Sequence, residues 1–281
     1  MSDWIRCSKA NPCPICQKDS WCEISADGAV ALCMRVPNEK PKTFKDGSVG
    51  YVHRLTDEPR KVFVPQRKEK PAPVINVEAM MASWAAKTRP EAFRSLADEL
   101  GVRTSALMEL RCAWAAEHSA WAFPMRDGLG KMVGVRLRNQ KGEKWAVKGS
   151  KQGLFLPYLN PEKQAVFVEG ATDTLAGLSI GLYCIGRPSC SGGLFDIQAL
   201  IKRLGIREAV IVSDNDDDRE RPDGSFYNPG VDGARALSDR LEIPNCIVIL
   251  PEKDMREAVN NGLTAERFDA MVRQCLWTTK H

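Results

Sequence analysis

No apolar run in these 281 residues approaches the roughly 18 needed to cross a membrane, so no membrane span is expected. The N-terminus, MSDWIRCSKANP, lacks the apolar core of a secretion signal. A cytoplasmic protein is therefore expected. Thiols stay reduced there, so the ten cysteines are read as metal ligands or core residues, not as disulfides. Histidine is scarce: of three, His118 and His281 belong to no constellation. Gly128-Leu129-Gly130-Lys131 is not a phosphate-binding P-loop, because it lacks the spacing and the following Ser or Thr.

What is present suits about two globular domains, with a hydrophobic content of 43%. The net charge of +4 is unevenly spread. Residues 1–75 and 76–165 are basic and residues 166–281 are acidic, a balance that suits a protein holding a polyanion while chelating a divalent metal.

Half of the cysteines fall in the first 33 residues: Cys7, Cys13, Cys16, Cys22 and Cys33. Cys13-Pro14-Ile15-Cys16 has the C-x2-C spacing that turns two thiolates toward one ion. The second pair comes from a hairpin. Trp21 to Cys33 reads as two strands around Asp27-Gly28, a type I′ turn signal. That register sets Cys22 opposite Cys33, with Cβ atoms about 5 Å apart. Cys13, Cys16, Cys22 and Cys33 are thus predicted zinc ligands, with Cys7 or His53 as substitutes for one of them. The expected unit is a small β zinc ribbon over 1–55. Trp4, Trp21, Phe44 and Tyr51, with Arg6, Lys9, Lys18 and Arg35, either stack on single-stranded nucleic acid or pack around the metal. Residues 56–75, with four prolines, read as an extended linker.

Residues 76–164 read as a mixed α+β basic subdomain: short helices over 77–111, then strands in WAFPMRD, KMVGVRLRNQ and EKWAVKG. Arg136 and Arg138 alternate with apolar residues, and Lys144 and Lys148 fall opposite Trp145 and Val147. If these strands pair, one face becomes a cationic strip for nucleotide or template phosphates. A merely solvated face would show the same alternation.

The C-terminal 165–281 carries three acidic clusters, each at the end of an apolar run rich in Val and Ile. They are Glu169 with Asp173, then Asp214 and Asp216 with Asp217 and Asp218, then Asp254. Strands alternating with helices build a parallel sheet, whose carboxyl ends bind ligands. Carboxylates gathered there repel unless a cation joins them, and hard oxygen donors suit Mg²⁺ or Mn²⁺.

These residues resemble the TOPRIM domain of DnaG-type primases, topoisomerases and some nucleases. Glu169-Gly170 matches its Glu-Gly motif, Asp214-Asn215-Asp216 its Asp-x-Asp motif, and Asp254 its third acidic position. Ile185-Gly186-Arg187 and Ser191-Gly192-Gly193 sit where such domains keep a small-residue loop. The order of zinc module, linker, basic subdomain and TOPRIM domain is similar to bacterial and phage primases, above all the primase half of phage primase–helicases. The resemblance implies an α/β fold and a nucleotidyltransferase making short primers on a single-stranded DNA template from nucleoside triphosphates. Asp214, Asp216 and Asp254 would hold Mg²⁺ or Mn²⁺; Glu169 would be general base or a further ligand, supported by Asp173. Arg136, Arg138, Lys144 and Lys148 would grip triphosphate or template. No P-loop ATPase follows, so a separate replicative helicase is expected, and the layout suggests a phage or mobile element.

The chain departs from the family in two places. The cysteines do not form its usual two knuckles, and residues 217–229 are inserted after Asp216. A TOPRIM nuclease would not need the basic strip. A topoisomerase would need a tyrosine in a further domain, and only Tyr51, Tyr158, Tyr183 and Tyr227 exist. A non-catalytic nucleic-acid-binding accessory protein would not need to keep Glu169, Asp214, Asp216 and Asp254 together.

Overall fold

The computed structural model describes residues 4–44, 48–55, 75–158, 163–220 and 226–278. Most of the predicted linker (56–74), part of the predicted insertion (221–225) and His281 lie outside the described residues. Two compact units divide near Pro71.

The first unit is a five-stranded antiparallel sheet in the order β1-β2-β3-β5-β4. Its strands are β1 (Trp4–Arg6), β2 (Glu23–Ser25), β3 (Val30–Cys33), β4 (Pro41–Thr43) and β5 (Val49–Arg54). Glu23 pairs with Leu32 and Ile24 with Ala31, the register predicted from the sequence. The turn type is different. Gly28 is left-handed (φ 71°) but Asp27 is not, so this is not a type I′ turn. The Ser25 hydroxyl explains the difference. It donates to Asp27 Oδ1 (2.5 Å) and accepts from the Val30 N–H (2.9 Å), while Gly28 N–H reaches Ser25 O. The loop is therefore four residues long (26–29). A four-residue loop centred on the same point leaves the pairing unchanged.

The second unit opens with α1 (Val77–Lys87), α2 (Pro90–Leu100) and α3 (Thr104–Glu109). They precede an antiparallel sheet of β6 (Ala113–Ala115), β7 (Ala120–Arg126), β8 (Met132–Asn139) and β9 (Lys144–Ala146), in sequence order. Next come β10 (Gln164–Glu169), α4 (Gly170–Ser179), β11 (Cys184–Arg187), α5 (Leu194–Leu204) and β12 (Glu208–Ser213). The short strands β13 (Arg219–Glu220) and β14 (Phe226–Tyr227) follow, then α6 (Pro229–Ser238), β15 (Asn245–Ile249), α7 (Met255–Asn260) and α8 (Ala265–Gln274).

Strands β11-β10-β12-β15 form an all-parallel sheet. Such strands are buried on both faces, which is why they read as near-continuous apolar runs. Val166, Val168, Val210 and Val212 join the core on one side, while Ala165, Phe167, Ala209 and Ile211 meet α5 and α6 on the other. Trp121, Phe123 and Met125 of β7 extend the first core into the antiparallel sheet. Residues 154–155 stitch the two sheets together. Leu154 exchanges backbone bonds with Arg126 (2.8 and 2.7 Å) and Phe155 with Gly186 on β11 (2.9 and 3.0 Å). At the far edge Thr278 bridges to Asn245 on β15. This stitching faces the antiparallel sheet toward the carboxyl ends of the parallel strands.

Candidate active site

The N-terminal unit brings four thiols together. The sulfurs of Cys13, Cys16, Cys22 and Cys33 all lie within 4.8 Å of one another. Cys16 and Cys22 are 3.7 Å apart, and Cys22 and Cys33 3.9 Å. Zn–S bonds of about 2.3 Å in a tetrahedron require sulfurs about 3.8 Å apart, so the donor set fits zinc. Backbone N–H groups point at these sulfurs: Met34 to Cys22 (3.4 Å), and Arg35 (3.4 Å) and Val36 (3.3 Å) to Cys33. The Arg35 guanidinium also reaches Cys22 (3.5 Å). Burial pushes the Cys22 thiol up, so the thiolate state there depends on a cation. Neither substitute belongs to the group: Cys7 lies outside it, and His53 Nε2 pairs with the Val36 carbonyl (2.9 Å).

The second unit holds a cleft of about 420 Å³. Glu169, Asp173, Asp214 and Asp254 line it together with Arg136, Arg138 and Lys144. The acids arrive as parallel strands deliver them: Glu169 ends β10, Asp214 follows β12, and Asp254 follows β15. Asp173 sits one turn into α4. The cations come from one face of the antiparallel sheet, where Arg138 pairs with Lys144 and Arg136 with Ala146 and Phe123. Leu137 and Trp145 take the other face, against α1.

Each acid has a distinct environment. Asp254 caps α7, accepting from the Glu257 N–H (2.8 Å). Asp173 is buried and accepts from the Arg256 N–H (3.0 Å). Burial, then the charge of Asp254, pushes Asp173 up to about 7. Burial, then Asp173, Glu169, Asp254 and Asp216, pushes Asp214 up to about 8. Burial also raises Glu169, opposed by Arg187 and by a bond from the Cys190 N–H. Asp216 does not line the cleft, but its charge acts on both Asp214 and Glu169. The Asn228 side-chain amide donates to the Asp216 carbonyl while its oxygen caps α6. Asp217 and Asp218 are exposed. So is Lys148, which does not line the cleft; β9 ends at Ala146. Arg138 is engaged by Glu99 of α2 at 2.7 Å.

Three cations were not singled out from the sequence. Lys253 and Arg256 line the cleft beside Asp254. Arg187, 1% exposed, ends β11 directly opposite Glu169. Its Nη1 donates to the Cys190 carbonyl (2.8 Å), while its Nε has no partner. Its charge acts on Glu169 and Asp214. A lone arginine inside a buried four-residue strand was the available signal, since buried charges are retained only beside opposite ones.

The raised values of Asp214 and Asp173 have a consequence for stability. Both carboxyls hold a proton more tightly folded than unfolded. From the ordinary value near 4 up to about 8, the unfolded chain therefore binds fewer protons, and stability falls as pH rises. The melting temperature of magnesium-free protein, corrected with Asp214→Asn, is expected to drop between pH 5.5 and 8.5. Excess Mn²⁺ should remove most of that drop. Identical pH slopes for wild type and Asp214→Asn would contradict the assignment.

The mixed α/β fold is similar to that of solved primase structures. The primase fragment of the bacteriophage T7 primase–helicase aligns over 93% of this chain and 97% of its own, with TM-score 0.52 and 15% identity. The E. coli primase catalytic core aligns over 72% and 79%, with TM-score 0.54 and 16% identity. A DnaG primase catalytic domain bound to single-stranded DNA aligns over 72% and 79%, with TM-score 0.55 and 15% identity. No protein-family model and no curated protein matches the sequence. Among the described residues, no helix is long and apolar enough to cross a membrane.

Proposed function

We propose that the chain is a DNA primase, a nucleotidyltransferase that makes short primers on single-stranded DNA from nucleoside triphosphates. The observation that carries this reading is the single cleft in which Glu169, Asp173, Asp214 and Asp254 face Arg136 and Lys144. A cluster of hard oxygens in which burial, and then repulsion from the other acids, raises Asp214 suits Mg²⁺ or Mn²⁺. In this reading residues 165–281 form a TOPRIM domain, 76–164 the basic half of the polymerase core and 1–55 a zinc module.

The reaction joins a primer 3′-hydroxyl to the α-phosphate of an incoming nucleotide. Asp214, Asp216 and Asp254 would hold the cation. A bound divalent ion lowers the pKa of the hydroxyl and neutralises triphosphate and leaving pyrophosphate. Glu169, with its raised affinity for a proton, is suited to accept the hydroxyl proton. Arg187 keeps that carboxylate charged until then. Arg136 and Lys144 bind the triphosphate from the opposite wall, and Arg138, oriented by Glu99, supports them. Trp21, 79% exposed beside the cysteine cluster, offers a stacking surface for a template base. Lys148 remains a candidate for template phosphates outside the cleft. In this reading the protein works in the reducing cytoplasm, beside a helicase that opens the duplex.

Single-stranded DNA of mixed sequence, labelled ribonucleotides and Mg²⁺ or Mn²⁺ form the test. Wild type is expected to yield short labelled oligonucleotides, and Asp214→Ala/Asp216→Ala to lose at least about 10³-fold in rate, the scale of removing a principal electrostatic element. Metal-dependent shortening of the DNA without labelled product would replace this reading with a nuclease. Product from both proteins would place the chemistry elsewhere.

A further inference from the structure

We propose that a second cavity, separate from the acidic cleft, binds a small molecule joining a flat aromatic ring to a phosphate, the class that includes free nucleotides. This cavity, of about 590 Å³, is the larger of the two and shares no lining residue with the acidic cleft. Its volume is in the range of small-molecule sites, roughly 300–1,000 Å³. The proposal does not depend on the reading of the cleft.

The cavity is lined by two arginines, Arg111 and Arg126. Arg126, half-buried on β7, is anchored by its Nη1 donating to the Gly130 carbonyl (2.8 Å). Arg111 follows α3 with a backbone φ of 57°. That left-handed conformation closes the C-terminus of α3, with the Arg111 N–H on the Met108 carbonyl and the Cys112 N–H on the Leu107 carbonyl (both 3.0 Å), and it turns the Arg111 side chain out of the helix. The Arg111 guanidinium then lies 4.0 Å from the centre of the Tyr158 ring. Stacking of this kind fixes the plane of the guanidinium and leaves its N–H edge free to donate. Burial, and then the charge of Arg111, weaken the hold of Arg126 on its proton, so the two cations feel each other. Glu78 is the carboxylate in the lining, but among the described residues neither arginine is within ion-pair distance of an acid. Two guanidiniums that repel across one cavity are relieved by an anion that both can chelate, and phosphate matches their geometry.

The rest of the wall is apolar. Phe93, Met81, Met108 and Met132 supply a surface on which an aromatic ring can lie. Methionine thioethers adapt their shape to such rings and contact them favourably. Two cations line this cavity, Arg111 and Arg126, with the charge of Arg203 acting on Arg126 from outside the lining. Two lining guanidiniums suffice for the phosphate of a single small molecule.

Methionine methyl NMR tests this directly. Met81, Met108 and Met132 line this cavity and no methionine lines the acidic cleft. Protein labelled with ¹³C at the methionine methyls is titrated with GMP and with GTP in magnesium-free buffer. Saturable shifts confined to these three methyls are expected. Arg111→Gly removes the guanidinium and places glycine where φ is already positive, so the fold is kept; it should weaken the titration at least tenfold. Asp214→Asn should leave the titration unchanged, so failure of the primase reading would not affect it. No shift at millimolar nucleotide, or equal titration of Arg111→Gly, overturns the proposal. So does a response to single-stranded oligonucleotides at lower concentration than to nucleotides, which would make the cavity part of a strand path.

Discussion

Stripping zinc is expected to unfold the N-terminal unit while the larger unit melts unchanged. The unit's apolar core is built around Cys7, Cys13, Cys22, Cys33 and Ile24. Three of these five belong to the four-sulfur group and a fourth is Cys7, so little hydrophobic burial is left when the metal goes. Structural zinc contributes about 10–16 kcal/mol to comparable small modules, far more than such a core can supply. Elemental analysis should find about one zinc per chain in wild type. Cys33→Ser should lose it, and trypsin should then cut within residues 4–55. Cys7→Ser should keep it, because Cys7 lies outside the four-sulfur group. Equal loss from the two variants would mean that Cys7 is a ligand.

The second large effect is expected at Arg187. Its Nε has no partner, so replacing it by leucine removes an unsatisfied buried group, which by itself is favourable. What decides the sign is what remains. Glu169 and Asp214 lose a buried cation that acts on both. Uncompensated buried charge costs on the order of 3 kcal/mol. Arg187→Leu should therefore be destabilised by about that amount at pH 8.5, where both acids are driven to ionise, and by much less at pH 5.5. Adding Glu169→Gln should recover part of the loss, and denaturant melts of the four proteins close the cycle. A loss independent of pH would make Arg187 a packing residue only.

Much of this architecture could be read from the chain because the strongest signals are local. Runs such as AVFVE and EAVIVSD are strands buried on two faces, and their acids fall at the carboxyl ends by connectivity alone. The meeting of the Cys22 and Cys33 sulfurs survives a wrong turn type, because two- and four-residue loops centred on the same point give the same register. The turn itself was misread because the Ser25 hydroxyl offers the loop an alternative partner, which a two-residue signal ignores. What escaped was non-local. The engagement of Arg138 by Glu99 joins residues 39 apart. Arg187 interrupts an apolar run and so resembles the start of a loop, although it is fully buried. The left-handed backbone of Arg111 has no sequence mark at all, since glycine or asparagine would be the residue expected there.

The stitching of residues 154–155 to β11, and of Thr278 to β15, has a further consequence. A parallel sheet ends in two rows of unpaired backbone groups, and each is a template for a strand from another molecule. Here Phe155 and Gly186 exchange both bonds at one margin, and Asn245 and Thr278 bond at the other. Each margin is thereby blunted against the growth of intermolecular β-structure, and a chain shortened before Thr278 would expose one of them to aggregation.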